Sequence, residues 1–367
     1  MKPATLLVLL LLLIPGQSAW ADQVVPSDRV SSHLNVRNEP SASSAVVGAL
    51  RPGEAAALEH SVPFWYAVTL PDGTRGFVSK AWSRLVADPA GGAPLRLGGW
   101  NVKKLGHGTR KDLGTVAEVI EEHFDIVAVV EVMQKGGAHP GYDGLMAQLG
   151  PDWEGMVTSS PRPNTASGNA EFYAIVYRTQ RIDPCADWTE LRYLSDNDGG
   201  EDGTGPDTFS REPAFGCFEA QRPQDAPGFD FMLGVYHARW AEGDREEIQG
   251  EVAHVTEVFD AMGEERPAER DRILVGDFNL GTTDLEVALG PQVKTLGEGS
   301  TLNSVGERTA NLYDHLLVFD RSATTEMIGS PEVLDVRAAA ATPREFFRTV
   351  SDHLPVRALF RAEGDDD

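Results

Sequence analysis

Polar residues recur where apolar, strand-like runs end, and their types are those of metal-assisted hydrolysis. Asn101 follows Gly98-Gly99-Trp100, and Glu131 closes the apolar run 126–130. His237 follows 232–236, and Asp277 and Asn279 leave 273–276. Asp314-His315 opens the run 316–319, and Asp352-His353 precedes Leu354-Pro355-Val356. A carboxylate at the end of a buried strand needs a cation or donor to offset its desolvation, and a hard divalent ion takes oxygen ligands of this kind. Histidine exchanges protons near neutral pH. Carboxylates and amides for Mg²⁺ or Mn²⁺, with two histidines as acid and base, suit hydrolysis of a phosphate ester. A single polar residue at a strand end is an ordinary turn former, so recurrence is what singles out the set. The sequence holds no HExxH, GxSxG or Walker loop.

The elements that must position these residues are legible as patterns. Strands are predicted at 97–102, 126–131, 172–178, 231–236, 272–276, 312–319 and 354–360. Two amphipathic helices are marked by Leu113, Val116, Ala117 and Ile120, and by Ile248, Val252, Val255 and Phe259. Together they form one α/β domain over 95–362, with an acidic, glycine-rich loop at 196–207 and an acidic tail at 363–367. Upstream, residues 26–86 alternate short apolar strands with turn signals, as a small all-β barrel does. Residues 87–94, with two prolines and a glycine pair, read as the linker. No internal repeat is visible.

The 367 residues are 41% hydrophobic, which excludes wholesale disorder. Lys and Arg number 32 against 56 Asp and Glu, a net charge of −24, so nucleic acid cannot be held by bulk electrostatics and any phosphate contact must be local. Lys103, Lys104, Arg110 and Lys111 form a basic cluster directly after Asn101 that would serve as such a contact.

At the N-terminus, Lys2 precedes an apolar run from Leu6 to Ile14, then Pro15-Gly16 and Ala19-Trp20-Ala21. This pattern predicts a signal peptide over 1–21, cleaved before Asp22. Nine apolar residues are too few for a bilayer core that requires about 20. A periplasmic or secreted destination follows, and there a Cys185–Cys217 disulfide is chemically permitted, with two buried free thiols as the alternative.

Two resemblances sharpen these expectations. Leu34-Asn35-Val36-Arg37, Val46-Val47-Gly48, Pro52-Gly53, Trp65-Tyr66-Ala67-Val68, Pro71-Asp72-Gly73 and Gly76-Phe77-Val78 resemble, in that order, the bacterial Src-homology-3-like domain. This implies targeting through a cell-wall peptide or a protein. Trp65 and Tyr66 are either binding aromatics or core.

The second domain resembles the endonuclease/exonuclease/phosphatase superfamily through Trp100-Asn101-Val102, Val130-Glu131-Val132, Gly276-Asp277-Phe278-Asn279, Tyr313-Asp314-His315 and Ser351-Asp352-His353-Leu354-Pro355. Asn169-Ala170-Glu171-Phe172-Tyr173 and 207–213 (Asp-Thr-Phe-Ser-Arg-Glu-Pro) look like its deoxyribonuclease I branch in particular.

The resemblance implies a four-layer α/β sandwich with two packed mixed sheets and DNA as substrate. It implies that Asn101, Glu131 and Asp352 bind the metal, while Asp277 and Asn279 orient phosphate and water. His237 paired with Glu171, and His353 paired with Asp314, handle protons. His353 is assigned as base and His237 as acid, leaving 5′-phosphate ends, with the reverse assignment open. Arg211 holds the substrate phosphate, with Lys103 of the basic cluster as a further phosphate contact read from the sequence itself, for which a solvated loop is the equal alternative. Asp207, with Asp196, Asp198 and Glu201 nearby, is a candidate calcium site, and a solvated acidic loop is the equal alternative. The branch's minor-groove arginine and tyrosine are replaced here by Met133 and Asn169, so tight minor-groove docking is not implied. The rivals are a same-fold sphingomyelinase or phosphatase, and a wall-binding protein whose second domain is inactive.

Overall fold

The structure, a computed structural model, describes residues 23–27, 29–62, 65–86, 94–106, 110–159, 171–194, 208–221, 228–241, 244–290, 297–318 and 323–362. The expected signal peptide, most of the linker, the acidic tail, and Asp196, Asp198, Glu201 and Asp207 lie outside the described residues. No helix among the described residues is long and apolar enough to cross a membrane.

The N-terminal domain is a small antiparallel sheet of seven strands: β1 (Gln23–Pro26), β2 (Leu34–Arg37), β3 (Val46–Leu50), β4 (Ala56–Val62), β5 (Trp65–Thr69), β6 (Arg75–Ser79) and β7 (Ser83–Val86). They pair along the path β3-β2-β6-β5-β4-β1-β7 among the described residues, consistent with the small all-β domain expected. Alternation along the strands buries Val24, Leu34, Val36, Tyr66, Val68 and Val78 in one small core. Tyr66 is therefore a core residue, whereas Trp65 is only partly covered.

The second domain contains two mixed sheets. The first has β8 (Leu95–Leu105), β9 (Ile126–Met133), β10 (Trp153–Val157), β11 (Glu171–Arg178), β18 (Met327–Val333) and β19 (Val356–Phe360), in the order β10-β11-β9-β8-β19-β18. The second has β12 (Ile182–Pro184), β14 (Ala214–Ala220), β15 (Asp230–His237), β16 (Arg272–Asp277) and β17 (Asp314–Val318) in that order, with β13 (Arg192–Tyr193) paired to β14. The β8–β9 and β15–β16 pairs are parallel and the rest antiparallel.

One face of each sheet meets the other. Leu97, Ile126, Ala128, Val130 and Ile175 pack against Leu233, Val235, Ile273, Val275 and Leu316. The alternate residues of the first sheet meet helices α1 (Leu113–His123), α2 (Pro140–Leu149) and α7 (Pro343–Thr349). Those of the second meet α3 (Arg245–Val252), α4 (Thr256–Glu265) and α5 (Thr282–Leu289). A short α6 (Ala323–Glu326) precedes β18. The result is the expected α/β/β/α layering. A Cβ on Gly99 would stand 2.5 Å from Val275, so glycine is what lets the two sheets approach there.

Departures from the expected elements have local causes. Strand β19 starts at Val356, because Pro355 has no N–H and the Leu354 N–H donates to the Ser300 carbonyl. The helix expected through 248–259 is broken by a 3₁₀ turn at Ala253–Val255. Strands β10, β12, β13, β14 and β18 carry too little alternation to be read from sequence, and β14 is a buried apolar run. Cys185 and Cys217 form a disulfide with Cα atoms 5.3 Å apart, tying the segment after β12 to β14.

Candidate active site

The two parallel strand pairs bring the chemistry together. Strands β8 and β9 carry Asn101 and Glu131 near their C-terminal ends, and β15 and β16 end on His237 and Asp277, which are paired in register. Strand β17 begins at Asp314 opposite Asp277. Residues up to 252 positions apart in sequence thus share one end of the sandwich.

Two histidine–carboxylate dyads face one aspartate. His237 Nδ1 is 3.0 Å from Glu171 Oε2, and His353 Nδ1 is 2.7 Å from Asp314 Oδ2. The opposite ring nitrogens, Nε2 of His237 and of His353, lie 3.8 and 3.7 Å from the same atom, Asp277 Oδ2. Each carboxylate fixes its histidine's orientation and leaves Nε2 directed toward the centre. Asp277 is 2% exposed and Asp314 1%. Burial pulls the His353 pKa down, but the charges of Asp314 and Asp277 and the hydrogen bond to Asp314 outweigh it and push it up to about 10. Burial of Glu171 is likewise outweighed, here by the hydrogen bond and charge of His237 and by Arg211, so its carboxyl titrates below the usual range.

The backbone is bent to make this arrangement. Glu131 and Asn279 have positive φ, 60° and 51°, as do Lys103 and Lys104 at 43° and 50°. Such conformations cost energy and collect at functional sites. The β8–β9 register slips between Asn101 and Leu105, producing a bulge directly after the metal-ligand candidate Asn101. At Gly276, φ is +158° and a Cβ would meet the Tyr236 carbonyl oxygen at 1.8 Å, so only glycine admits Asp277 at this point.

The oxygen donors expected to hold a cation are adjacent. Asn101 Nδ2 donates to Glu131 Oε1 and to Asp277 Oδ2, both at 3.0 Å, and Asn101 Oδ1 accepts the Lys103 N–H. Asp352 accepts the Lys103 ammonium at 2.7 Å. This chain therefore gathers three carboxylates, of Glu131, Asp277 and Asp352, around one amide and one lysine, a hard oxygen set that fits Mg²⁺ or Mn²⁺ chemistry. Asp277, Asp314 and His353 also present one ligand atom each within 4.8 Å of one another, an acidic and histidine cluster able to hold a metal. Asp314 Oδ2 is, however, already engaged by the Ser300 hydroxyl at 2.6 Å and by His353. Glu131 is engaged as well, its Oε1 by Asn101 Nδ2 and its Oε2 by the Lys104 N–H.

Other expected residues take more local parts. Arg211 Nε lies 2.9 Å from Glu171 Oε2, and its Nη1 donates to the carbonyls of His237 and Ala238. These contacts make it a brace for the Glu171–His237 dyad. Asn279 donates its side-chain amide to the Ala238 carbonyl at 2.9 Å. In the basic cluster, Lys104 and Arg110 are exposed. Lys111 instead donates to the carbonyls of Val102 and Val350, and burial pushes its pKa down to about 8. His315 turns to the opposite face of β17 and bonds the Leu280 carbonyl, and His254 pairs with Glu257 at the surface.

Two residues went unread in the sequence. Ser300 donates to Asp314 and accepts the Tyr313 and Asp314 N–H groups. Ser351 donates to the Asn101 carbonyl at 2.6 Å and accepts the His353 N–H, joining the two halves of the site. Ser351 stood inside the quoted 351–355 block and was readable there, but no signal marked Ser300.

Comparisons with known proteins bear on the two domains. Residues 32–84 match the family model of the bacterial SH3 domain. A deoxyribonuclease of Thioalkalivibrio sp. (strain K90mix) is 28% identical over 281 residues, covering 73% of this chain and 71% of its own. A Bacteroides thetaiotaomicron endonuclease/exonuclease/phosphatase family protein superposes with a TM-score of 0.52 at 20% identity, over 75% of this chain and 98% of that one. A functionally unknown conserved protein of Enterococcus faecalis V583 superposes at 0.51 and 15% identity, over 73% and 100%. The chain carries a bacterial SH3 domain followed by a domain of the endonuclease/exonuclease/phosphatase fold.

Proposed function

We propose that the protein is an exported, divalent-metal-dependent endonuclease that hydrolyses phosphodiester bonds of DNA and leaves 5′-phosphate ends. The observation that carries this reading is the convergence of two histidine–carboxylate dyads on Asp277 Oδ2 at nearly equal distances. Displacement at phosphorus needs one group to take a proton from the attacking water and another to give one to the leaving oxygen. We assign His353 to the water and His237 to the departing 3′ oxygen. Glu171 and Asp314 hold the two rings in place, and Arg211 holds Glu171. Lys103 stands beside Asp352 to meet the phosphate charge.

Glu131, Asn101 and Asp352 are the residues that would hold Mg²⁺ or Mn²⁺, which when bound supplies charge neutralisation at the phosphoryl oxygens. His353 keeps its proton past neutral pH in the cation-free protein. Positive charge beside Asp352 opposes that proton, so cation binding and base function are coupled. The related deoxyribonuclease supports DNA as the substrate class. A calcium ion in the 196–207 loop belongs to the same proposal, on the strength of its acidic residues.

The signal-peptide pattern supports export, and the Cys185–Cys217 disulfide is consistent with an oxidising destination, periplasmic or secreted. For the bacterial SH3 domain we propose a wall peptide or protein ligand. A cleft of about 420 Å³ between Trp65 and Trp82, lined also by His33, Asn35 and Arg37, is its candidate seat.

The test is incubation of the mature protein with supercoiled plasmid, RNA, sphingomyelin and a generic phosphomonoester, with Mg²⁺, Mn²⁺ or Ca²⁺. Plasmid nicking that disappears in Asp277→Ala and His353→Ala is the expected result. Exclusive cleavage of sphingomyelin or of the monoester would transfer the site to the rival chemistries.

A further inference from the structure

Trp240 is 60% exposed, although it lies only three residues beyond His237. Its ring stands 6.2 Å from that of Tyr313, at an interplanar angle of 54°. Tyr313 immediately precedes Asp314 of the second dyad. The two aromatic side chains are tied to the catalytic strand ends by main-chain bonds. The Phe278 N–H donates to the Tyr313 carbonyl at 2.8 Å, and the Ala238 N–H to the Asp277 carbonyl at 2.9 Å. Asn279 Nδ2 closes the link onto the Ala238 carbonyl. Trp240 and Tyr313 open onto a cleft of about 1040 Å³ that also reaches Asn279.

The remaining lining states what that cleft can take. Asp244, Glu246 and Asp284 place three carboxylates around it, and its one cation, Arg245, is already paired with Asp284 among the described residues. A phosphate would be repelled there. A neutral, flat, amino-bearing ring would stack on the indole and donate to the carboxylates, as cytosine and adenine amino groups do. Three residues of chain span at most about 11 Å, which keeps Trp240 close to His237.

We propose that Trp240 and Tyr313 form a stacking subsite for one unpaired nucleobase next to the scissile phosphate, so that the enzyme favours single-stranded or frayed DNA. This inference rests on the nuclease reading. A base in an intact duplex is stacked on its neighbours and is not free to enter such a site.

The test compares kcat/KM for three substrates of equal length: a single-stranded oligodeoxynucleotide, its duplex, and the same backbone with an abasic nucleotide at the subsite position. Each is measured with wild type, Trp240→Ala and Trp240→Phe. In wild type the single strand is expected to be the best substrate. Trp240→Ala should lower the ratio of base-bearing to abasic cleavage about ten-fold, chiefly through KM, the size of one lost base–aromatic stack. Trp240→Phe should restore most of that ratio. A ratio unchanged in Trp240→Ala, or duplex preferred by wild type, would overturn the subsite and leave the nuclease reading standing. No cleavage of any strand by wild type, with or without turnover of a phosphosugar monoester, would overturn the nuclease reading itself.

Discussion

The two dyads share a centre but not a setting. Glu171 divides its charge between His237 and Arg211, whereas Asp314 is fully buried and offers the same oxygen to His353 and the Ser300 hydroxyl. A neutral hydroxyl orients a carboxylate without neutralising it, while a guanidinium does both. The Asp314–His353 pair therefore holds a proton strongly, and the Glu171–His237 pair is held rigidly by a cation. Similar residue pairs on two strands thus stand in different electrostatic settings.

The largest effect should come from the residue both dyads face. Asp277→Ala should lower kcat for plasmid nicking by about 10³-fold or more, with circular dichroism unchanged. Retained nicking would dissolve the shared centre. Next, the dyads should separate by leaving group. On a substrate whose bridging 3′ oxygen is replaced by sulfur, which departs without a proton, the loss in His237→Ala should shrink by about 10²-fold, while that in His353→Ala should persist. The opposite pattern would exchange the assigned acid and base.

The carboxylates should then rank by how much charge they give. Asp314→Asn should cost more activity than Glu171→Gln, about 10²-fold against about 10-fold in kcat, because Arg211 still positions the ring-facing end of residue 171. Equal losses would remove the asymmetry.

Smaller effects concern stability. Ser300→Ala leaves Asp314 and two N–H groups short of a buried partner and should cost about 1–3 kcal/mol in urea unfolding. The pH dependence has a definite sign. The folded pKa of His353, about 10, exceeds its ordinary 6.5. The stabilisation it brings is thus complete below about pH 6.5 and is lost as pH rises through about 10. In chelator-treated protein, the stability gap between wild type and Asp314→Asn should narrow over that range.

The layers of the second domain and most of the site could be read because each functional side chain ends an apolar run. The continuous apolar run locates the strand, and its end locates the residue, as for Glu131 and Asp277. What sequence hid was whatever depends on main-chain bonds across the fold. Ser300 lies in no strand and acts through three hydrogen bonds to Tyr313 and Asp314. Arg211 looked like a phosphate fork because its free side chain suits one, yet the fold presents it to Glu171 and two carbonyls. Lys111 stood among surface cations by neighbourhood in sequence, but in the fold it donates to the carbonyls of Val102 and Val350.

The central claim is that the two histidines act on one phosphodiester in one step. The most direct measurement is a cycle of kcat/KM for wild type, His237→Ala, His353→Ala and the double variant on supercoiled plasmid with Mg²⁺. Groups acting as a unit are strongly non-additive, so the double variant should be about as impaired as the worse single variant. Losses that multiply across the cycle would mean that the two histidines act independently, and would contradict the account.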